Sequence, residues 1–163
     1  MAEIESLEQF SRALATVVVG MVSIVGAGFA TVPMAHKATC WLGRYLYPVS
    51  NQHSFVDPDD RDWFIPYVGL RINEEKYKSL STTRKICCFA AMLFTGTVTG
   101  AFVGGLITGT VALAVAGGPF AISIPIFAMG VSICSVVGAV TGAFHDPGFF
   151  QKVYNAFTDW RLR

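Results

Sequence analysis

"GTVTGAFVGGLITGTVALAVAGGP", residues 96–119, holds seven glycines in 24 positions and no charged residue. In water this is a poor helix, because each glycine costs about 1 kcal/mol relative to alanine. In lipid the comparison changes. Lipid tails are as apolar as leucine, so bulky apolar side chains do not draw helices together there. Close backbone approach does, through dispersion contacts, and small residues permit it. The i+4 row Gly96, Gly100, Gly104, Thr108, Ala112, Ala116 is small throughout, and the adjoining row Thr97, Ala101, Gly105, Gly109 is small as well.

A matching row follows further along the chain. Gly130, Cys134, Gly138 and Gly142 recur every four residues, flanked by Ser135, Ala139 and Ala143. Gly117-Gly118-Pro119 lies between the two rows and is a turn signal. Folding back at Pro119 sets Gly96 opposite Gly142, Gly100 opposite Gly138, Gly104 opposite Cys134, and Thr108 opposite Gly130. The pattern predicts a glycine zipper: an antiparallel helical hairpin over 86–144, with helices at about 86–116 and 120–144. Pro125 is expected to kink or shorten the start of the second helix.

Residues 86–145 carry no Asp, Glu, Lys or Arg, and neither do residues 13–36. A run of about 18 or more apolar residues is a candidate transmembrane helix. The first charge-free block, "ALATVVVGMVSIVGAGFATVPMA" at 13–35, predicts one span ending near Pro33. It has its own small row, Ser23, Ala27, Thr31 and Ala35, with Gly20 and Gly28 nearby. The fold expected is an all-α integral membrane protein with three transmembrane helices, the last two forming the hairpin, plus short interfacial amphipathic helices. Residues 1–12 read as a polar N-terminal segment and 36–85 as an interfacial or solvent loop with short helices. Residues 145–163 read as an amphipathic C-terminal helix.

Details of the polar parts support that division. Trp41 and Tyr45 sit at helical spacing before Pro48, and such aromatic residues favour the membrane interface. The stretch 49–85 is too short to bury a core alone, so it must lie on the membrane or on a partner. In "DPDDRDWF", Asp57 and Pro58 look like a helix cap and first position, with Asp59, Asp60 and Asp62 favouring the positive helix end. A metal site of four aspartates is the less favoured reading, since no EF-hand spacing is present. In the tail, Asp146 and Pro147 again look like a cap and first position. Phe149, Phe150, Val153, Tyr154, Phe157 and Trp160 then recur on one helical face, as in an interfacial helix or one docked on a neighbouring subunit.

Charge suggests orientation. Eight Lys and Arg residues fall in the loop between the first two spans, one in the N-terminal segment and three in the tail. The positive-inside rule then places the loop and C-terminus on the matrix or cytoplasmic side. The start, "MAEIESLEQFSR", fits neither a secretory signal nor a mitochondrial presequence. A net charge of +1 shows no nucleic-acid footprint.

No catalytic constellation is legible: there is no nucleophile elbow, no HExxH, and no nucleotide fingerprint around "GAFVGG". The expectation is a non-enzyme with no cofactor, no resident metal and no evident small-molecule substrate. The spans lack the ionisable residues that mark ion or proton pathways. Thr95, Thr97, Thr99, Thr108 and Thr110 could line a pore, but hydrogen bonding along or between helices is the favoured reading. His36 and His145 are expected near one membrane face and could ligate something together, though an interfacial polar role is favoured. Cys40, Cys87 and Cys88 lie beside spans, where palmitoylation is possible, with plain reduced thiols favoured. Cys134 reads as a small packing residue.

These features predict a non-catalytic accessory subunit that joins in complex assembly by helix packing, its partners being other membrane-protein subunits and lipids. An energy-transducing complex (respiratory chain or ATP synthase) of the mitochondrial inner membrane is the expected host. A self-assembling pore is one alternative and a bacterial hairpin protein inserted into a host membrane is another. The 86–144 block resembles the bilobed hydrophobic hairpin of chlamydial inclusion membrane proteins, over about a third of the chain and in hydropathy, and the first span departs from that pattern. The glycine-rich helices are also similar to those of a four-span family of mitochondrial inner-membrane proteins, whereas three spans are predicted here.

Overall fold

The computed structural model describes residues 2–48, 62–65, 70–114 and 120–161. These are nearly all helical. α1 spans Ala2–Leu46, α2 Glu74–Ser79, α3 Thr82–Ala114, α4 Phe120–Phe144 and α5 Pro147–Arg161. Three stretches are long and apolar enough to cross a membrane: Ser6–Leu46, Thr82–Ala114 and Ile124–Phe144. At about 1.5 Å per residue, even the shortest of these matches a hydrocarbon core of about 30 Å. The chain is thus compatible with an integral membrane protein. The turn expected at 117–119 and the start of the helix expected at Asp57 lie outside the described residues.

The first helix is longer than its composition suggests. α1 takes in the polar start and continues through Pro33 to Leu46, so one helix runs unbroken across the boundaries expected at 12 and 35. Proline removes one ladder donor, which leaves the Phe29 carbonyl without its usual partner. Within a bilayer the neighbouring backbone would have no water to turn to, which favours keeping the rest of the ladder intact. Beyond Pro33, the Thr39 hydroxyl bonds back to the Ala35 carbonyl at 2.7 Å, within the same helical turn. Likewise α4 takes in Pro125 without a break.

The all-helical expectation fails between 62 and 73. Asp62–Ile65 (β1) pairs antiparallel with Leu70–Asn73 (β2), with Trp63 opposite Ile72 and Phe64 opposite Arg71. Trp63, Phe64, Ile65 and Ile72 are residue types that favour strands, and that preference defeats a helix running on from Asp57. Asn73 ends β2 and caps α2, its Oδ1 accepting from the Lys76 N–H at 2.9 Å. Its own N–H donates to the Pro48 carbonyl at 3.0 Å. Ser81 then caps α3, its Oγ accepting from the Arg84 N–H at 3.3 Å, which starts that helix four residues before the expected boundary at 86.

The chain divides into two compact units, Met1–Met34 with Thr97–Gly138, and Ala35–Gly96 with Ala139–Arg163. The first is helix on helix and contains most of the small residues. The second holds an aromatic and sulfur core of Tyr47, Tyr77, Cys88 and Met92, with Cys40, Leu42, Leu46 and Leu80 packed against it.

Candidate functional site

In the first unit α3 and α4 meet through their small residues. Gly100, Gly104, Thr108, Gly130, Cys134 and Gly138 are all buried. A methyl group added at Gly104 would lie 2.7 Å from Cys134 Cβ and 2.8 Å from the Gly130 carbonyl oxygen. One added at Gly130 would run into the Thr108 side chain, and one at Gly100 into the Cys134 carbonyl. Gly104 thus faces Cys134, as expected, and also Gly130, and Gly130 faces Thr108, while the atoms nearest to a methyl at Gly100 belong to Cys134 and Ser135 and not to the expected Gly138. A position on one helix sits in the hollow between two residues a turn apart on its neighbour, so opposite pairs are shared between adjacent turns.

The flanking row is less crowded. A methyl at Gly105 would be in ordinary contact with Val131, and one at Gly109 would press on the Phe127 ring at 3.3 Å. On α1, Gly20 abuts the Ile126 side chain, whereas Gly26 and Gly28 face open space. Two of the hydroxyls named as possible pore lining, those of Thr108 and Thr110, turn back on their own helix. Thr108 Oγ1 donates to the Gly104 carbonyl at 2.6 Å, and Thr110 Oγ1 to the Leu106 and Ile107 carbonyls at 2.9 Å.

In the second unit Gly96 and Gly142 are buried too. A methyl at Gly142 would strike the Met92 carbonyl. Here the chain gathers its buried polar groups. Asp146, almost wholly buried, accepts from the Tyr47 hydroxyl through Oδ2 at 2.5 Å and from the Phe149 N–H through Oδ1 at 2.9 Å. The second bond is the N-cap of α5. Burial first, then the hydrogen bond to Asp146 and its charge, push the Tyr47 phenol well above its ordinary value. Burial and Asp146 push Tyr77 up to about 12, against the opposing hydrogen bond from the Gly148 backbone.

Next to this lies a second cluster. His36 Nδ1 is 2.9 Å from His145 Nε2, and Cys40 Sγ is 3.8 Å from His36 Nε2. His145 Nδ1 reaches the Thr141 carbonyl at 2.6 Å. A carbonyl only accepts, so Nδ1 carries the proton and the neutral ring offers Nε2 as a lone pair. Burial lowers the basicity of His145, and the Thr141 bond opposes that in part. A cleft of about 410 Å³ opens on the same unit, lined among others by Tyr77, Lys85, Ile86, Phe89, Phe149 and Lys152.

The residues expected at a membrane interface are distributed as follows. Trp41 and Tyr45 are exposed and in edge contact with each other, ring centroids 5.1 Å apart. Phe149 is half-buried between Phe89 and Phe144. Phe157 and Trp160 are exposed neighbours, centroids 6.1 Å apart. Phe150 and Tyr154 are in α5, but their side chains lie outside the described residues. None of the cysteines is in a disulfide. Cys87 is exposed, Cys40 half-buried, and Cys88 and Cys134 buried.

The sequence pattern pairs His36 with His145 but not with Cys40. The signal for it was the i, i+4 spacing on one helix, which puts two side chains on one face. The joining of Tyr47 to Asp146 across 99 positions left no local trace. No family model, curated protein or solved structure matches the chain.

Proposed function

We propose that the protein is a non-catalytic accessory subunit of a larger membrane-protein complex and acts by helix–helix packing. The observation that supports this best is the way side chains are spent. Glycine, threonine and cysteine fill the α3–α4 contact, while Phe94, Phe102, Leu106, Ile133, Val136 and Val140 face outward. A glycine hairpin of this kind is a scaffold whose bulky surface is left for lipid and for other subunits. α5 serves as an amphipathic element at the interface. The host proposed is an energy-transducing complex of an organelle inner membrane, with the 49–85 loop and the C-terminus on the Lys- and Arg-rich side. Lipids are the other expected partners. Two ammonium groups, Lys85 and Lys152, beside the apolar floor of Ile86, Phe89 and Phe149 suit an anionic head group with its acyl chain.

The self-assembling pore has less support, because Thr108 and Thr110 bond along their own helix and Thr108 is buried in the α3–α4 contact. The deciding experiment is mild detergent extraction from the native membrane, native-gel sizing, and mass spectrometry of what travels with the chain. Migration with a large complex at fixed stoichiometry is expected. Migration as a small homo-oligomer that conducts ions in pure lipid would overturn the proposal in favour of the pore.

A further inference from the structure

His36 and Cys40 stand one turn apart on α1, and His145 closes the end of α4 against them. Their donor atoms all lie within 4.8 Å of one another. Around a tetrahedral Zn²⁺, with Zn–N of about 2.0–2.1 Å and Zn–S of about 2.3 Å, ligand atoms are separated by about 3.3 Å (N to N) and about 3.6 Å (N to S). His36 Nδ1 is 2.9 Å from His145 Nε2, while the 3.8 Å approach of the sulfur is to the other ring nitrogen of His36, Nε2; with one ligand atom per residue the set spans up to 4.8 Å, so an ion draws the three donors together by about 1 Å at the longest separation. We propose that His36, Cys40 and His145 form a binding site for a divalent cation of the Zn²⁺ class, tying α1 to the C-terminal end of α4.

Three features of the cluster favour an ion over a simple polar contact. First, His145 is already oriented as a metal ligand. A ligating imidazole usually donates its other ring N–H to a carbonyl or carboxylate, which fixes the tautomer, and the Thr141 carbonyl does this at 2.6 Å. Second, the donor set is two imidazoles and a sulfur, the borderline-soft combination that selects zinc-like ions over magnesium or calcium. Asp146, the adjacent carboxylate, is held by Tyr47 and the Phe149 N–H. Third, the surroundings are small and constrained. Ala35 and Thr39, which adjoin His36 and Cys40 in sequence, and Ala143, two residues before His145, are buried, and the Thr39 hydroxyl is taken up by the Ala35 and His36 carbonyls. His36 and Cys40 are only half-buried, so an ion has a path in.

Binding is a proton-balanced exchange. The Cys40 S–H bond breaks, a sulfur–metal bond forms, and the proton leaves to solvent. One ring nitrogen of His36 and Nε2 of His145 donate lone pairs as neutral imidazoles, and water takes the fourth position. The site goes beyond the scaffold role, since packing through glycine needs no metal.

The test uses the full-length chain, reduced and metal-free in detergent, titrated with Co²⁺ as a coloured substitute for Zn²⁺. Expected are one Co²⁺ per chain, a sulfur-to-cobalt charge-transfer band with tetrahedral d–d absorption, and bleaching of both by Zn²⁺. Cys40→Ser should abolish the charge-transfer band while the helical circular dichroism stays unchanged. His36→Gln should weaken Co²⁺ binding at least tenfold. Absence of any cobalt-dependent absorption in the folded full-length chain would overturn the proposal. So would a band that survives Cys40→Ser and disappears in Cys87→Ser or Cys88→Ser.

Discussion

Gly26 and Gly100 are both glycines in long apolar helices, yet a β-carbon would have opposite effects at the two positions. At Gly26 it meets nothing within 4 Å; at Gly100 it meets the backbone carbonyl of Cys134, which cannot swing aside as a side chain can. Gly26→Ala should therefore leave stability unchanged or raise it by up to about 1 kcal/mol through helix propensity. Gly100→Ala should cost about 1–3 kcal/mol by overpacking. Thermal unfolding in detergent, followed by circular dichroism, compares the two; equal melting temperatures would remove the α3–α4 contact face. Titration is a second single-residue effect. Tyr47 and Tyr77 both have phenols raised above their ordinary value of 10.0, Tyr77 to about 12. An acid with a raised folded value contributes stability that is present below its unfolded value and is lost as pH climbs through the folded one. Stability should hold up to about pH 10 and decline between about 10 and 12, and Tyr77→Phe should flatten part of that decline. Melting temperatures across this range for the two proteins check it.

Among the elements, α5 depends most on one residue. Asp146 caps its first turn and accepts the Tyr47 hydroxyl from a buried position. Asp146→Ala loses the cap, worth about 1 kcal/mol, and also leaves the Tyr47 hydroxyl without its acceptor, a further cost of about 1–3 kcal/mol. Asp146→Asn keeps a capping oxygen and should be the milder change. Limited proteolysis in the tail, together with melting temperature, should rank the wild type, Asn and Ala in that order. Asp146 and Pro147 were legible as a cap and first position because capping is a local pattern. The strand pair at 62–73 was not: strand formation depends on a partner, and Leu70–Asn73 supplies it. α1 misled differently, since Pro33 reads as a stop in water but is tolerated where the backbone has no competing solvent.

For the molecule as a whole, the expected topology makes a direct demand. Single cysteines introduced as Ser54→Cys and Thr158→Cys should be labelled by a membrane-impermeant reagent from the same side. Labelling from opposite sides would mean that one of α3 and α4 does not cross. Candidate spans were visible as charge-free stretches, and the small rows were visible as four-residue spacings. The Tyr47–Asp146 bond and the His36–Cys40–His145 cluster were not fully visible, because each joins positions about a hundred residues apart.

By itself the sequence determined the number of apolar helices, the small faces on them and the cap of the last one. Each of these follows from composition and spacing within one helix, where neighbours are set by a 3.6-residue turn. Only the tertiary structure decided which glycines are crowded, how Gly104 is shared between adjacent turns of α4, and which histidine meets which cysteine. Those are distances between helices. A shift of one turn, about 5.4 Å, would keep every small residue on its row and change every one of those contacts.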